Sequence, residues 1–147
     1  MSKLLNKIGQ NSKIAFRNRI NLKKRNKVLK DFCNLIIKNE QKIILENKKD
    51  IKFAKSKKLK ENLIKRLSLN SEKINSIIKS IHTVIKFKDP LDKELNKWKR
   101  PNGLKIKRVT IPIGVIGIIY ESRPNVTADV STLCFKSGNC VILRGGS

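Results

Sequence analysis

Two short polar loops of this sequence hold the residue types best suited to recognising a charged ligand. Residues 120–125 (YESRPN) and 144–147 (RGGS) each follow an apolar run. Arg123 offers a planar cation for a phosphate or carboxylate, and the carboxamide of Asn125 is an uncharged donor for a developing oxyanion. Arg144 is suited to ribose or phosphate, and the glycines beside it allow close backbone approach. An arginine and an asparagine in a loop are more often structural, forming a surface ion pair and a capping bond, and a Gly-Gly pair is also typical of a plain turn.

The apolar runs before these loops are predicted to be parallel strands joined by a helix. Residues 113–120 are almost wholly apolar, as in a central strand buried on both faces, and residues 140–143 form the next buried strand. Between them, residues 126–136 predict a helix capped by Asn125 or Thr127. Its inward side chains are Val130, Leu133 and Cys134. Because parallel strands open their binding crevice at their carboxyl ends, both loops should meet there.

The first half of the chain is predicted to be helical. Apolar residues recur at helical spacing over 21–38, 40–57 and from Asn70 or Ser71 to just before Asp89. Residues 104–111 alternate apolar and basic side chains, the period of a half-exposed strand. We therefore predict an α/β fold with a helical part (1–88), a connection (89–103) pinned to the core by Trp98, and a strand-loop-helix-strand core (104–147).

Charge is concentrated in the first part of the chain. Residues 1–108 hold 32 of the 35 basic and 9 of the 11 acidic residues, a net charge of +23 out of +24. A chain this basic could bind nucleic acid. However, lysine greatly outnumbers arginine, aromatic residues make up only 5%, and the charges are scattered over every segment. Solvated lysine faces therefore explain the charge better than a specific nucleic-acid site.

The compartment and metal content follow from simple counts. No segment has the length of apolar sequence that a signal peptide or a membrane span requires. Three cysteines (Cys33, Cys134 and Cys140) lack the spacing of metal ligands, and His82 is the single histidine. We expect a cytoplasmic protein with no membrane contact and no metal, in which the cysteines are small core residues.

Motifs spread in order over the chain also carry a family resemblance. They are L-x-x-RL-x-L at 63–69, Trp98, RPNGL at 100–104, GVIGIIYESRPNVT at 114–127, KSGN at 136–139 and LRGGS at 143–147. These motifs closely resemble the gamma-glutamyl phosphate reductase family, or glutamate-5-semialdehyde dehydrogenases, of the aldehyde dehydrogenase superfamily. The resemblance implies an incomplete Rossmann-like parallel sheet of the aldehyde dehydrogenase type, preceded by helices. It also accounts for the missing G-x-G-x-x-G fingerprint, which this superfamily does not use.

The resemblance implies a reaction, a cofactor and site residues. The reaction is NADPH-dependent reduction of L-glutamyl 5-phosphate to glutamate 5-semialdehyde with release of phosphate, a step of proline biosynthesis. Asn125 is the implied oxyanion donor. The implied cofactor-binding residues are Ser122, Arg123, Pro124, Asn125, Arg144, Gly145, Gly146 and Ser147.

One departure from the family limits this expectation. The family's catalytic cysteine lies downstream of the LRGGS motif in a separate catalytic domain, which this sequence does not include. We therefore expect the chain alone not to turn over glutamyl phosphate. Its partners would then be a downstream split fragment or further copies of itself. The alternatives are an inactive remnant, a partner-binding fragment and, less favoured, a basic nucleic-acid-binding protein.

Overall fold

Residues 3–121 and 123–145, the part of the chain described by a computed structural model, form six helices and four strands. The helices are α1 (Lys3–Arg17), α2 (Leu22–Lys38), α3 (Glu40–Ser56), α4 (Glu61–Leu67), α5 (Ser71–Lys86) and α6 (Pro124–Lys136). The strands are β1 (Glu94–Lys99), β2 (Lys105–Val109), β3 (Val115–Tyr120) and β4 (Cys140–Gly145). Five helices thus precede every strand, and α6 joins β3 to β4. Within this part of the chain, no helix is both long and apolar enough to cross a membrane.

The three helices predicted for the first half are confirmed. Asn21 caps α2, since its side chain accepts a hydrogen bond from the Lys24 amide at 2.9 Å. Asn70, rather than Ser71, caps α5 in the same way, accepting from the Lys73 amide at 2.8 Å. Helices α1 and α4 were not predicted, and neither contains a buried residue.

The core lies where α2, α5 and α6 pack together. Its buried members are Leu29, Cys33, Ile74, Ile77, Ile78, Ile81 and Ala128. The predicted isoleucine stripe of α5 supplies most of this cluster. Cys33 and Cys134 are both buried, as expected of small core residues, and His82 is exposed. Packing of apolar faces at this junction therefore orients α6 relative to the N-terminal helices.

A buried polar network closes the same junction at the C-terminal end of α6. The guanidinium of Arg25, 3% exposed, donates to the carbonyl of Lys136 and forms an ion pair with Asp89 at 2.7 Å. The ammonium of Lys136 donates in turn to Asn26 Oδ1 at 2.7 Å and to the carbonyl of Ile85 at 2.9 Å. The network thus ties the last turns of α5 and α6 to α2.

The strand-helix-strand unit is present, but β3 is less covered than predicted. Strands β3 and β4 pair in parallel, which confirms the predicted crossover. On β3, however, exposed and half-buried residues alternate, and Ile119 is 81% exposed. Ile113, which was predicted to open this strand, lies before it and is 85% exposed. The prediction of burial on both faces was therefore wrong for the described residues. An apolar run is typical of a strand that is buried on both faces, but its actual burial depends on which other segments pack against those faces.

Strands β1 and β2 form an antiparallel pair within residues 94–109. The segment predicted to be a connection therefore contains β1, whose lysines and asparagine give no strand signal. Trp98 pairs with Ile106 across the two strands and is 42% exposed, so the prediction that it pins a connection to the core was wrong. Ile106 alone is half-buried on β2, and the other side chains of this strand are exposed.

Candidate functional site

The two polar loops meet at the carboxyl edge of the parallel strands. In the register of β3 and β4, Ile119 lies opposite Arg144 and Tyr120 opposite Gly145, so both strands end at the same level. The α6 N-terminus begins on this edge, four residues after β3. The structure therefore brings together the two segments that the sequence singled out, as a crossover of parallel strands requires.

Helix α6 begins differently from the prediction. Its first residue is Pro124, and its N-cap is Arg123, whose side chain makes no capping hydrogen bond. Assigning the cap to Asn125 or Thr127 was wrong, because proline has a fixed φ suited to the first helical position and starts the helix earlier. Asn125 consequently sits in the first turn, where its Nδ2 donates to Asp129 Oδ2 at 3.3 Å. Thr127 instead pairs with the hydroxyl of Tyr120 at 2.6 Å.

The remaining predicted site residues divide into described and undescribed ones. Arg123, Arg144 and Gly145 are exposed at the carboxyl edge, and Pro124 is half-buried. Neither arginine forms an ion pair with another side chain in residues 3–121 and 123–145. Ser122, Gly146 and Ser147 lie outside the described residues. The edge therefore presents two exposed guanidinium groups beside a helix N-terminus, a favourable setting for anionic groups.

None of the three cysteines has the properties of a nucleophile at this edge. Burial raises the pKa of both the Cys33 and the Cys134 thiols, which keeps them protonated at neutral pH. Cys140 opens β4, at the end of the strand opposite Gly145. These positions agree with the expectation that the cysteines of this chain do not perform the family's thiol chemistry.

A cavity that sequence reasoning missed adjoins the edge. It has a volume of about 290 Å³ and lies between α5, the end of α4 and the first turns of α6. Its polar lining comprises Arg66, Ser68, Lys73, Ser76, Ser80, Asn125 and Asp129. Arg66 also approaches Glu121 of the first loop at 3.9 Å. Asn125 and Asp129, four residues apart, share one face of α6, but no local signal in the sequence links that face to Arg66 and Lys73.

A larger apolar groove lies on the other side of α6. It has a volume of about 900 Å³ and runs between α1, α2, α6 and the start of β4. Phe16, Val28, Leu35 and Phe135 are among its lining residues. Across the described ranges, 3–121 and 123–145, no three histidine, cysteine or acidic side chains group as metal ligands.

Comparison with known proteins identifies relatives of this chain, although no family model matches it. The gamma-glutamyl phosphate reductase of Allorhizobium ampelinum is 59% identical over 86 residues, which are 58% of this chain and 20% of that protein. The gamma-glutamyl phosphate reductase of Thermotoga maritima is 54% identical over 87 residues. The chain thus matches about a fifth of the length of these curated relatives.

Solved structures give the same answer for nearly the whole chain. The crystal structure of gamma-glutamyl phosphate reductase from Thermotoga maritima matches 99% of it with a TM-score of 0.91 and 40% identity. The enzyme from Saccharomyces cerevisiae matches 100% of it with a TM-score of 0.93 and 33% identity. The match covers 35% and 38% of those two chains. Sequence and fold together identify this chain as a homologue of the gamma-glutamyl phosphate reductases. It matches about one third of the length of each solved enzyme.

Proposed function

We propose that this chain supplies part of the site for NADPH-dependent reduction of L-glutamyl 5-phosphate to glutamate 5-semialdehyde, with release of phosphate. The observation that carries this proposal is the parallel register of β3 and β4, which sets the two family motifs side by side at one edge. Its relatives are named for this reductase activity. The proposal includes a role in proline biosynthesis and a sheet of the aldehyde dehydrogenase type.

The residues at the carboxyl edge have the chemistry that NADPH requires. Its phosphates and ribose need cations, backbone amides and room for close approach, and Arg144, Gly145 and the uncapped α6 N-terminus offer all three. We assign Arg144 and Gly145, with Gly146 and Ser147, to the ribose side. Ser122, Arg123, Pro124 and Asn125 are assigned to the nicotinamide side. NADPH supplies the hydride for reduction when bound.

Asn125 is the candidate donor to the oxyanion of the reacting acyl group. Reduction of an acyl group places negative charge on its carbonyl oxygen, and a fixed amide donor stabilises that charge without a proton transfer. Among residues 3–121 and 123–145, the Nδ2 group of Asn125 makes one hydrogen bond to a side chain, the 3.3 Å contact with Asp129. At that length the bond is weak, so the amide can turn towards a ligand at little cost.

The nucleophile of the reaction is proposed to come from outside these residues. In the family chemistry, a thiolate attacks the acyl carbon and phosphate leaves, and hydride then displaces the thiolate from the thioester. Cys33 and Cys134 are buried thiols with raised pKa, and Cys140 lies at the wrong end of β4. The chain would therefore bind cofactor and substrate, while a second polypeptide region provides the thiol.

A reconstitution assay tests this proposal. The chain is co-expressed with a polypeptide covering the remainder of the Thermotoga maritima relative, and NADPH oxidation is followed with freshly prepared glutamyl phosphate. We expect phosphate-releasing turnover only when both parts are present. Asn125→Ala should lower kcat by about 10²–10³-fold, the usual loss of one oxyanion donor.

Asn34→Ala, an exposed change on α2, is the matched control and should leave the rate unchanged. The absence of turnover in a complex that forms and binds NADPH would exclude the proposed reaction.

A further inference from the structure

We propose that the 290 Å³ cavity beside Asn125 binds the amino-acid head group of the substrate, its α-ammonium at Asp129 and its α-carboxylate at Arg66 and Lys73. This inference rests on the proposed function and specifies how the site would select an amino-acid substrate. The cavity opens next to the candidate oxyanion donor and carries charges of both signs. An α-amino acid is the ligand class that needs both.

Asp129 provides the negative pole. It is half-buried on α6, and no cation in residues 3–121 and 123–145 lies within ion-pair distance of it. Within the described part of the chain, the hydrogen bond that its carboxylate accepts comes from Asn125 at 3.3 Å. A half-buried carboxylate on a cavity wall, without a cation, is suited to an ammonium group supplied by a ligand.

Arg66 and Lys73 provide the positive pole. Lys73 is held in place by its hydrogen bonds to the carbonyls of Lys65 at 3.0 Å and Ser68 at 2.6 Å, which leave one of its three donors for a ligand. Arg66 is 3.9 Å from Glu121, a loose contact that leaves its planar fork available. The hydroxyls of Ser76 and Ser80 line the same wall and add neutral donors.

The spacing of Asn125 and Asp129 fits the length of a glutamyl chain. Four residues along an α-helix rise about 6 Å. The α-carbon and the reacting carbonyl carbon of glutamyl phosphate are three bonds apart, each about 1.5 Å long. An ammonium group at Asp129 therefore leaves the acyl oxygen within reach of Asn125. Pairing Asp129 with that ammonium would also release the Asn125 amide from its present contact.

A titration followed by amide NMR on the intact chain tests this inference. L-glutamate and glutarate are added separately, since glutarate has the same carboxylates but lacks the ammonium. We expect L-glutamate to shift the amides around Arg66, Lys73 and Asp129, and to bind more tightly than glutarate. Asp129→Asn should lower the affinity for L-glutamate by at least about tenfold, the loss of one charge-assisted hydrogen bond, and leave glutarate unaffected. Arg66→Gln should weaken both ligands.

Asp31→Asn, which removes a surface carboxylate paired with Lys27 on α2, is the matched control and should change neither affinity. The inference is overturned if L-glutamate causes no shift at this cavity at tens-of-millimolar concentration. It is also overturned if Asp129→Asn keeps the preference for L-glutamate over glutarate. NADPH added to the same sample reports separately on Arg144 and Gly145. If NADPH binds and L-glutamate does not, only this inference is overturned. If L-glutamate binds and NADPH does not, only the cofactor assignment is overturned.

Discussion

The two ends of α6 use polar side chains in opposite ways. At the C-terminal end, Arg25, Lys136 and Asn139 are all at most 8% exposed, and their side chains bond to backbone groups and to the side chains of neighbouring residues. At the N-terminal end, Asn125 and Arg123 are exposed and have few partners. At the C-terminal end most polar groups are satisfied and hold the fold, although Arg25 Nε and the Thr132 hydroxyl are buried without a partner among the described residues. At the N-terminal end, exposed groups with few partners are available to a ligand. Stability and binding should therefore respond to opposite ends of the helix.

Replacing Arg25 should produce one of the largest losses of stability. Arg25→Met leaves Asp89 without its ion pair and the Lys136 carbonyl without its donor. Breaking a fully buried pair typically costs about 3 kcal/mol or more, but Asp89 is 30% exposed and part of its charge is solvated. With the lost carbonyl donor included, we expect a cost of about 2 kcal/mol. Urea denaturation followed by circular dichroism measures the change.

Arg123→Met is the matched control at the other end of α6. Arg123 is exposed and forms no ion pair among the described residues, so its loss should change the free energy of unfolding by less than about 0.5 kcal/mol. Equal losses for the two arginines would contradict the division between the ends of the helix.

A pair of threonines, one near each end of α6, should show stability changes of opposite sign. Thr132, near the C-terminal end, is 1% exposed and its hydroxyl has no hydrogen-bond partner in the described structure. Thr132→Val should therefore raise the free energy of unfolding by about 1 kcal/mol, since it removes an unsatisfied buried hydroxyl without changing the shape. Thr127→Val should instead lower it by about 0.5 kcal/mol through loss of the bond to Tyr120. Thermal melts of both variants check the opposite signs.

The sequence predicted the helices and strands better than it predicted which of their faces are buried. The isoleucines of α5 and the caps Asn21 and Asn70 predicted their helices correctly, because apolar period and capping are local properties. Apart from the cap of α6, which Pro124 places at Arg123, the wrong predictions concern contacts made by other segments. The apolar run of β3 does not reveal that one of its faces stays exposed, and the charged residues of β1 do not reveal that β2 pairs with them.

The same limit applies to the candidate site. Both polar loops could be found from the sequence, since each follows a strand-like run and parallel strands align their carboxyl ends. The cavity could not, because Arg66 and Lys73 reach it from α4 and α5, more than fifty residues before Asn125 in the chain. Packing of α5 against α6 through isoleucine side chains creates that proximity, and no local pattern encodes it.

Lys136 gives the C-terminal end a pH signature. Burial lowers its pKa below the usual 10.5, so the folded state releases this proton more readily than the unfolded state does. The cost of the buried ammonium is complete below the folded pKa and is relieved as pH rises from that value to about 10.5. The stability of the native chain relative to Lys136→Met should therefore increase with pH over this alkaline range.

Stability must be measured for both proteins at each pH, because the raised pKa of Cys33 and Cys134 acts in the opposite direction. Those thiols resist ionisation in the folded state, so they lower stability above about pH 9 in both proteins and cancel in the difference. A flat difference over the alkaline range would show that Lys136 is not desolvated in the folded chain.

The smallest stability change is expected at Asn125, and the contrast is sharpest against Asn139. Asn139 is 8% exposed; its Oδ1 accepts from the Gly114 amide at 2.9 Å, and its Nδ2 donates to Ser137 at 2.9 Å. Asn139→Ala should therefore cost about 2 kcal/mol by leaving a buried amide unpaired. Asn125→Ala loses one exposed contact of 3.3 Å and should stay within about 0.5 kcal/mol. If urea denaturation gave similar losses of unfolding free energy for the two substitutions, Asn125 would be a stabilising residue of the fold. The proposal that its amide is free to bind a substrate oxygen would then be wrong.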